Sequence, residues 1–294
     1  MAGSVLVTGA TGTVGAAVAQ FLLARGETVV GAIRDIDDST PLPEGVTGRQ
    51  FDFAMSPSEL DAAMVGCDRL FLMRPPAIAD VRRYLFPVVD AAQRANIRQI
   101  VFLSLQGVQF NRSTPHYAVE RYLKSTGAPF TSLRPNFFMQ NISTTHAAEI
   151  RNHDDVFVPA GRSFTALIDA LDIGRVAAAV FTNDGHIGQA YTLSGEQSLT
   201  YRTVARILTD VLGRRIRYRT PSESDYLARL TSEGSPDDYI AVQKMIYRIV
   251  RFNISAFPNR SVRRLTGAPA TTFRQFAERE RAAWNPDYRE TESP

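Results

Sequence analysis

The sequence predicts an α/β protein built on a doubly wound parallel sheet, with helices on both faces and a smaller C-terminal cap. Three observations predict it. Short apolar runs alternate with amphipathic helical patterns from the first residues, as successive βαβ units require. A glycine-rich turn joins the first strand to the first helix. The 294 residues suffice for one large α/β body with an appendage. A chain of this size buries about three quarters of its unfolded surface and needs no staples.

The elements follow in order. Strands are expected at residues 5–8, 28–33, 47–53, 69–73, 99–104 and 130–133, six in all. Helices are expected at 14–25, 57–65, 78–95 and 116–125, with Pro87 kinking the third. Beyond Asn136 the alternation loosens. Helices are read at 137–151, 173–181, 203–212, 222–257 (interrupted near 232–236) and 272–284, and strands at 156–158, 190–194 and 216–219. Residues 1–150 therefore form the main domain. Residues 151–284 form a smaller mixed region with some return to the core, and 285–294 form a polar tail.

Composition excludes several classes. Hydrophobic residues make up 44% and charged residues 21%, ordinary values for a globular chain. Cys67 is the only cysteine, so no internal disulfide forms and a reducing compartment fits. No apolar run approaches the roughly 18 residues of a membrane span, and the first residues lack a signal-peptide pattern. The expected location is the cytoplasm. The net charge is only +3, but Arg202, Arg206, Arg214, Arg215, Arg217 and Arg219 cluster against Asp210 alone. We read them as a solvated face, since no nucleic-acid-binding pattern accompanies them. His146, His153 and His186 have no metal-ligand spacing, and no metal is expected.

The turn reads Thr8-Gly9-Ala10-Thr11-Gly12-Thr13-Val14-Gly15. Gly9 permits the tight bend, Gly12 lets backbone approach a pyrophosphate, and Gly15 packs the helix onto the sheet. The amides opening the helix then face the phosphate charge. Flanked by a strand and an amphipathic helix, this is the context of a Rossmann-type nucleotide-binding fold. Gly9, Thr11, Gly12, Thr13 and Val14 are its contact candidates.

The second strand ends Ala32-Ile33-Arg34-Asp35. Arg34 suits a 2′-phosphate and stacks on adenine. Asp35 is the alternative, a carboxylate for the ribose of NAD(H). NADP(H) is preferred. Asp52 and Phe53, at the end of the third strand, lie beside the adenine or are plain turn residues. Ser104, ending the fifth strand, is a hydrogen-bond candidate for nicotinamide or substrate, or again a turn residue.

More specific is the run from His116-Tyr117-Ala118-Val119-Glu120, through Ser125-Thr126-Gly127-Ala128-Pro129-Phe130, to Leu133-Arg134-Pro135-Asn136-Phe137-Phe138-Met139-Gln140-Asn141. With the turn, Arg34 and Asp52, it resembles the NmrA-like group of atypical short-chain dehydrogenases. The likeness runs nearest to type 2 NAD(P)H:quinone reductases and triphenylmethane-dye reductases. Ile168-Asp169-Ala170-Leu171-Asp172-Ile173, Ala190-Tyr191-Thr192-Leu193-Ser194-Gly195 and Thr266-Gly267-Ala268-Pro269 extend the likeness over nearly the whole chain. The resemblance implies cofactor contacts from Met73 and Arg74 as well. It also implies that the segment containing Ser104 and Gln106 faces nicotinamide and substrate. Phe137 and Phe138 are candidates for an apolar pocket wall, or core residues. Met245, Tyr247 and Phe252 are candidates to close the pocket.

Ordinary short-chain dehydrogenases protonate product from a tyrosine activated by a lysine four residues on. The only lysines are Lys124 and Lys244, preceded at that spacing by Glu120 and Ile240. No such pair exists. Arg121 follows Tyr117 at the same spacing but is not equivalent. Tyr117, Ser104 and His116 remain as weak catalytic candidates. A missing acid disfavours simple ketones, whose reduction creates a basic alkoxide. Quinones, iminium ions and cationic dyes give stable products and need mainly positioning. The expected function is NADPH-dependent reduction of such a small-molecule acceptor. A non-catalytic NADP(H)-binding sensor is the alternative, and an epimerase or dehydratase is disfavoured because it commonly uses the absent pair. Oligomeric state, a homodimer included, is left open.

Overall fold

The computed structural model describes residues 3–34 and 42–285. Asp35 and the tail from residue 286 onward lie outside the described residues. The chain opens β1 (Ser4–Thr8), α1 (Thr13–Leu23), β2 (Val29–Ile33), β3 (Thr47–Gln50), α2 (Pro57–Met64) and β4 (Cys67–Met73). It continues α3 (Val81–Tyr84), α4 (Phe86–Arg94), β5 (Gln99–Leu103), α5 (Pro115–Ser125) and β6 (Phe130–Pro135). After that come α6 (Gln140–Ser143), α7 (Ala147–His153), β7 (Phe164–Thr165), α8 (Ala170–Thr182), β8 (Ala190–Leu193) and β9 (Leu199–Thr200). The last helices are α9 (Tyr201–Leu212), α10 (Glu223–Ser232), α11 (Asp237–Arg251), α12 (Ser261–Thr266) and α13 (Phe273–Arg279). No described helix is long and apolar enough to cross a membrane.

Two compact units result. One holds the described residues up to Pro135 with Ala170–Leu193 and Ser261–Ala268, and the other holds the remainder. In the first unit seven parallel strands take the order β3-β2-β1-β4-β5-β6-β8. Six strands were expected in this sheet, and the strand read at 190–194 was not assigned to it. The seventh is β8, which pairs with β6 and brings part of the later chain back to the sheet. Val5, Leu6 and Val7, like Leu70, Phe71 and Leu72, are fully buried. Such unbroken apolar strands arise because a parallel sheet is covered on both faces. Leu6, Leu70, Leu72, Ile100 and Phe102 share a core with α2, α4 and α5. The alternate positions point to the opposite face, where α1 and α8 pack together.

The α1–α8 contact depends on one small residue. A Cβ on Gly174 would fall 2.6 Å from the carbonyl carbon of Ala17 and 2.7 Å from its oxygen. The backbones therefore touch at this point, and no side chain fits between them.

Proline explains one departure from expectation. The helix read over 78–95 breaks at Leu85, and Pro87 sits in the first turn of α4, where its missing amide leaves nothing unpaired. The helix read over 137–151 is also interrupted. The amide of Met139 donates to the Ile168 carbonyl at 2.8 Å, and that of Ile168 to the Phe137 carbonyl at 2.9 Å. This ladder keeps Phe137 and Phe138 out of the helix, with Met139 as the N-cap of α6, so only α6 and α7 remain helical. The strands expected at 156–158 and 216–219 reduce to a single bridge between Asp155 and Arg217. The helix expected at 272–284 ends at Arg279, and a 3-10 turn covers Arg281–Trp284.

The second unit has its own core, centred on Phe273, Phe276, Trp284, Leu208 and Val250. Fully buried Asp169 accepts hydrogen bonds from Gln140 at 2.7 Å and Arg279 at 2.8 Å. His146 is buried there too, with Nε2 2.7 Å from the Tyr247 hydroxyl. Burial lowers its pKa to about 4.

Two outcomes follow. Gly→Ala within a helix ordinarily gains about 1 kcal/mol from propensity. Gly174→Ala should instead lower the denaturation midpoint, by about 1–3 kcal/mol of overpacking; a gain would disprove the backbone contact. His146 is neutral when folded, whereas an unfolded imidazole titrates near 6.5. As pH falls from about 6.5 to 4, the unfolded state takes up a proton the folded state refuses, and stability drops. His146→Gln should flatten that slope by up to about 1.4 kcal/mol per pH unit, measured by urea titrations at stepped pH. Parallel slopes for variant and parent would contradict the assignment.

Candidate functional site

In a sheet of this order the winding reverses between β1 and β4, and the crevice outside their carboxyl ends is where ligands bind. Thr8 fixes the two ends together. Its hydroxyl donates to the Phe71 carbonyl at 3.0 Å and accepts the Met73 amide at 2.8 Å. Sequence reading passed over this residue, although a threonine closing an apolar strand was its visible signal.

The chain then turns sharply. Gly9 adopts φ +66°, and the Gly12 amide donates to its carbonyl at 2.9 Å. A Cβ on Gly15 would lie 2.0 Å from the Gly9 oxygen, so the start of α1 rests directly on the turn. Gly12 differs: a Cβ there would meet only that same oxygen, at 3.4 Å. Its open side is the approach to the helix N-terminus.

Helix starts in this chain are closed in two ways, and α4, α6, α7 and α11, like α1, have no side-chain cap. Ser56, Asp80, Thr114, Thr200, Ser222 and Thr272 each cap a helix with a side-chain oxygen. The N-cap of α1 is Gly12, with no side-chain bond and no acidic residue in the first turn. The amides of Thr13, Val14 and Gly15 have no acceptor among the described residues. Three aligned donors at the positive end of an 11-residue helix suit an anion. Thr11 and Thr13 are exposed beside them, and Val14 is buried beneath.

Neighbouring strand ends complete the edge. Arg34 follows β2 and is exposed, without an ion-pair partner among the described residues. Ile33 pairs with Gln50, and the Phe51 amide donates to the Ile33 carbonyl at 2.7 Å, which sets Arg34 beside Phe51 and Asp52. Asp52 accepts the Ala54 amide at 2.7 Å through one oxygen, and Phe53 meets Phe51 edge-on at 5.1 Å.

At the end of β4, one terminal nitrogen of Arg74 donates to the carbonyls of Pro75, Pro76 and Ile78. Its Nε is buried without an acceptor among the described residues, and the Ser104 hydroxyl beyond β5 is likewise unpartnered. Met73 pairs with Leu103, so these orphaned donors lie at adjacent strand ends. Buried polar groups without partners cost about 1–3 kcal/mol each, which a polar ligand would recover.

The catalytic candidates gather at the same edge. His116 lies 6.1 Å from the Phe102 ring; burial and then the charge of Arg74 push its pKa down to about 4. It is therefore a neutral imidazole near pH 7. Tyr117 is half-buried, its amide bonded to the capping hydroxyl of Thr114. Glu120, at the position preceding Lys124, is tied to Arg134 by two hydrogen bonds. Gln106 is half-buried, and its amide donates to the Pro135 carbonyl at 2.9 Å. Thus the turn, Arg34, Asp52, Phe53, Met73, Arg74, Ser104, Gln106, His116 and Tyr117 all belong to the first unit. Phe137 and Phe138 belong to the second, Phe137 packed against its core and Phe138 bridged to Ile168. Tyr247 is buried in that core, whereas Met245 and Phe252 are exposed.

Comparison with known proteins identifies the family. The chain is 29% identical over 287 residues to an NAD(P)H azoreductase of Xenophilus azovorans, covering 95% of this chain and 99% of the relative. It is 31% identical over 289 residues to a (4-alkanoyl-5-oxo-2,5-dihydrofuran-3-yl)methyl phosphate reductase of Streptomyces griseus, covering 96% and 100%. Among solved structures, the NADPH-dependent quinone oxidoreductase of Escherichia coli complexed with NADPH matches with a TM-score of 0.84 at 25% identity, covering 94% and 99%. Residues 1–256 match the NmrA-like family as a whole, and the chain belongs to that family.

Proposed function

We propose that this chain reduces a conjugated or cationic acceptor with NADPH, by direct hydride transfer and without a tyrosine–lysine acid. At the coarser level it is an NAD(P)H-dependent oxidoreductase. The observation that carries the proposal is the uncapped N-terminus of α1 behind the glycine turn. The free amides of Thr13, Val14 and Gly15 hold the pyrophosphate, with Gly12 leaving room for it. Arg34, unpaired among the described residues and next to Asp52, pairs with the 2′-phosphate and covers the adenine. Asp52 and Phe53 border the adenine. Ser104, with Arg74 behind it, offers its orphaned hydroxyl to the nicotinamide end.

NADPH, when bound, supplies the hydride. What the chain supplies is position, with no tyrosine–lysine pair at this edge to protonate an alkoxide among the described residues. His116 is neutral near pH 7, held so by burial and Arg74. No lysine stands four residues beyond Tyr117. A ketone would leave a basic alkoxide needing a positioned acid. Conjugated acceptors leave a delocalised anion that water protonates, and cationic ones leave a neutral product. Proximity then accounts for most of the rate. Azo, quinone and dihydrofuranone names among the relatives support this class of acceptor.

Two variants test the proposal. Arg34→Ala should weaken NADPH binding about 10- to 100-fold, the worth of a charge-assisted bond, with little change for NADH. Fluorescence titration of both nucleotides reads this, and equal losses would remove Arg34 from the 2′-phosphate. Tyr117→Phe should keep kcat for quinone and azo acceptors within about threefold. A fall beyond about 100-fold would make Tyr117 the acid, since that is the scale of general-acid catalysis. Tight nucleotide binding without turnover on quinones, azo dyes or iminium ions would establish a sensor instead.

A further inference from the structure

The second unit contains a cavity of about 290 Å³, walled by α7, α10 and the start of α11. That volume sits near the lower end of small-ligand sites. Phe157, Tyr226 and Tyr239 supply aromatic walls, and Glu149, Arg229 and Glu233 supply formal charge. None of these residues belongs to the sheet edge described above.

Arg229 looks like an anion receptor, yet each of its three nitrogens donates to a carboxylate. One terminal nitrogen donates to Glu149 at 2.9 Å, the second to the other oxygen of Glu149, and Nε to Glu233 at 2.8 Å. Its guanidinium also lies over the Phe157 ring, 4.8 Å from the centroid. An incoming anion would have to displace these bonds while facing two carboxylates. His146, on the same wall, is bonded to Tyr247 and kept neutral by burial. One guanidinium therefore stands against two carboxylates, and the half-exposed Glu233 is at the open rim.

We propose that this cavity binds a small organic cation, an ammonium or amidinium carried on an apolar or aromatic body. The charge sits against Glu233 and over the faces of Tyr226 and Tyr239, and the body lies along Leu230 and the ring walls. Aromatic faces attract cations through their quadrupole, most strongly where water is partly excluded. A neutral ligand of equal shape gains the apolar contact alone. The site does not depend on the reductase reading.

The test uses the full chain at pH 8, above the usual imidazole range, and isothermal titration calorimetry. The probes are 2-phenylethylammonium, neutral 2-phenylethanol and anionic 3-phenylpropionate. The ammonium should bind at least about tenfold more tightly than the alcohol, and the carboxylate should not bind. Glu233→Gln and Tyr239→Leu should each weaken the ammonium about fivefold or more, while Glu278→Gln on α13, outside the cavity, should leave its affinity unchanged. Thermal melting establishes that the variants are folded; should Tyr239→Leu fail to fold, Glu233→Gln at the exposed rim still decides. Equal affinity for ammonium and alcohol, or an unchanged Glu233→Gln, would overturn the proposal.

Discussion

The structure turns on three backbone amides that nothing in the described chain satisfies. At six other helices Ser, Thr or Asp closes the start with a side-chain oxygen, as Ser56 does for α2 and Thr114 for α5. At α1 that place is taken by Gly12, which has no side chain to offer. Leaving donors open costs stability, and the cost is compatible with folding only where solvent or a ligand meets them. Gly9 and Gly15 then make the arrangement rigid, because the helix start sits on the Gly9 carbonyl with no space between. Thr8 completes the frame by pinning the end of β1 to that of β4. The proposed anion site thus follows from small residues and one hydroxyl, placed where the winding of the sheet reverses.

Charge on the same edge is arranged around that site. Arg34 stands open to solvent, whereas Arg74 is held by the carbonyls of its own loop. The two arginines consequently do different work. Arg34 is available to a ligand phosphate. Arg74 acts on its surroundings, and its positive charge adds to burial in keeping His116 unprotonated. With Glu120 engaged by Arg134, the start of α5 offers no acid–base pair of the tyrosine–lysine kind. That arrangement is what the proposed reaction asks for, since its reduction products are already stable.

Local periodicity made much of this legible. Apolar runs alternating with helical patterns marked β1, β2, β4 and β5, and the spacing of Gly9, Gly12 and Gly15 marked the turn. Arg34 was readable because the end of the second strand has a known chemical task in such folds. What stayed hidden depends on pairing between distant segments. Residues 137–139 carry a helical pattern, yet their backbone pairs with Ile168, thirty residues away in sequence. Nothing local announces that β8 returns to β6, or that Gly174 meets Ala17. Phe137 and Phe138 were readable as apolar, but apolarity does not say which core they join. The Arg229 cluster was equally silent, since Glu149 and Arg229 are distant in sequence and come together only across two helices.

The central claim is that the first amides of α1 receive the dinucleotide's pyrophosphate. Backbone amide NMR of labelled protein titrated with NADPH measures this directly. The account predicts large downfield proton shifts at Thr13, Val14 and Gly15, as expected for new bonds to a charged acceptor, with slowed hydrogen exchange at the same residues. Saturating NADPH binding that leaves those three resonances and their exchange rates unmoved would contradict it.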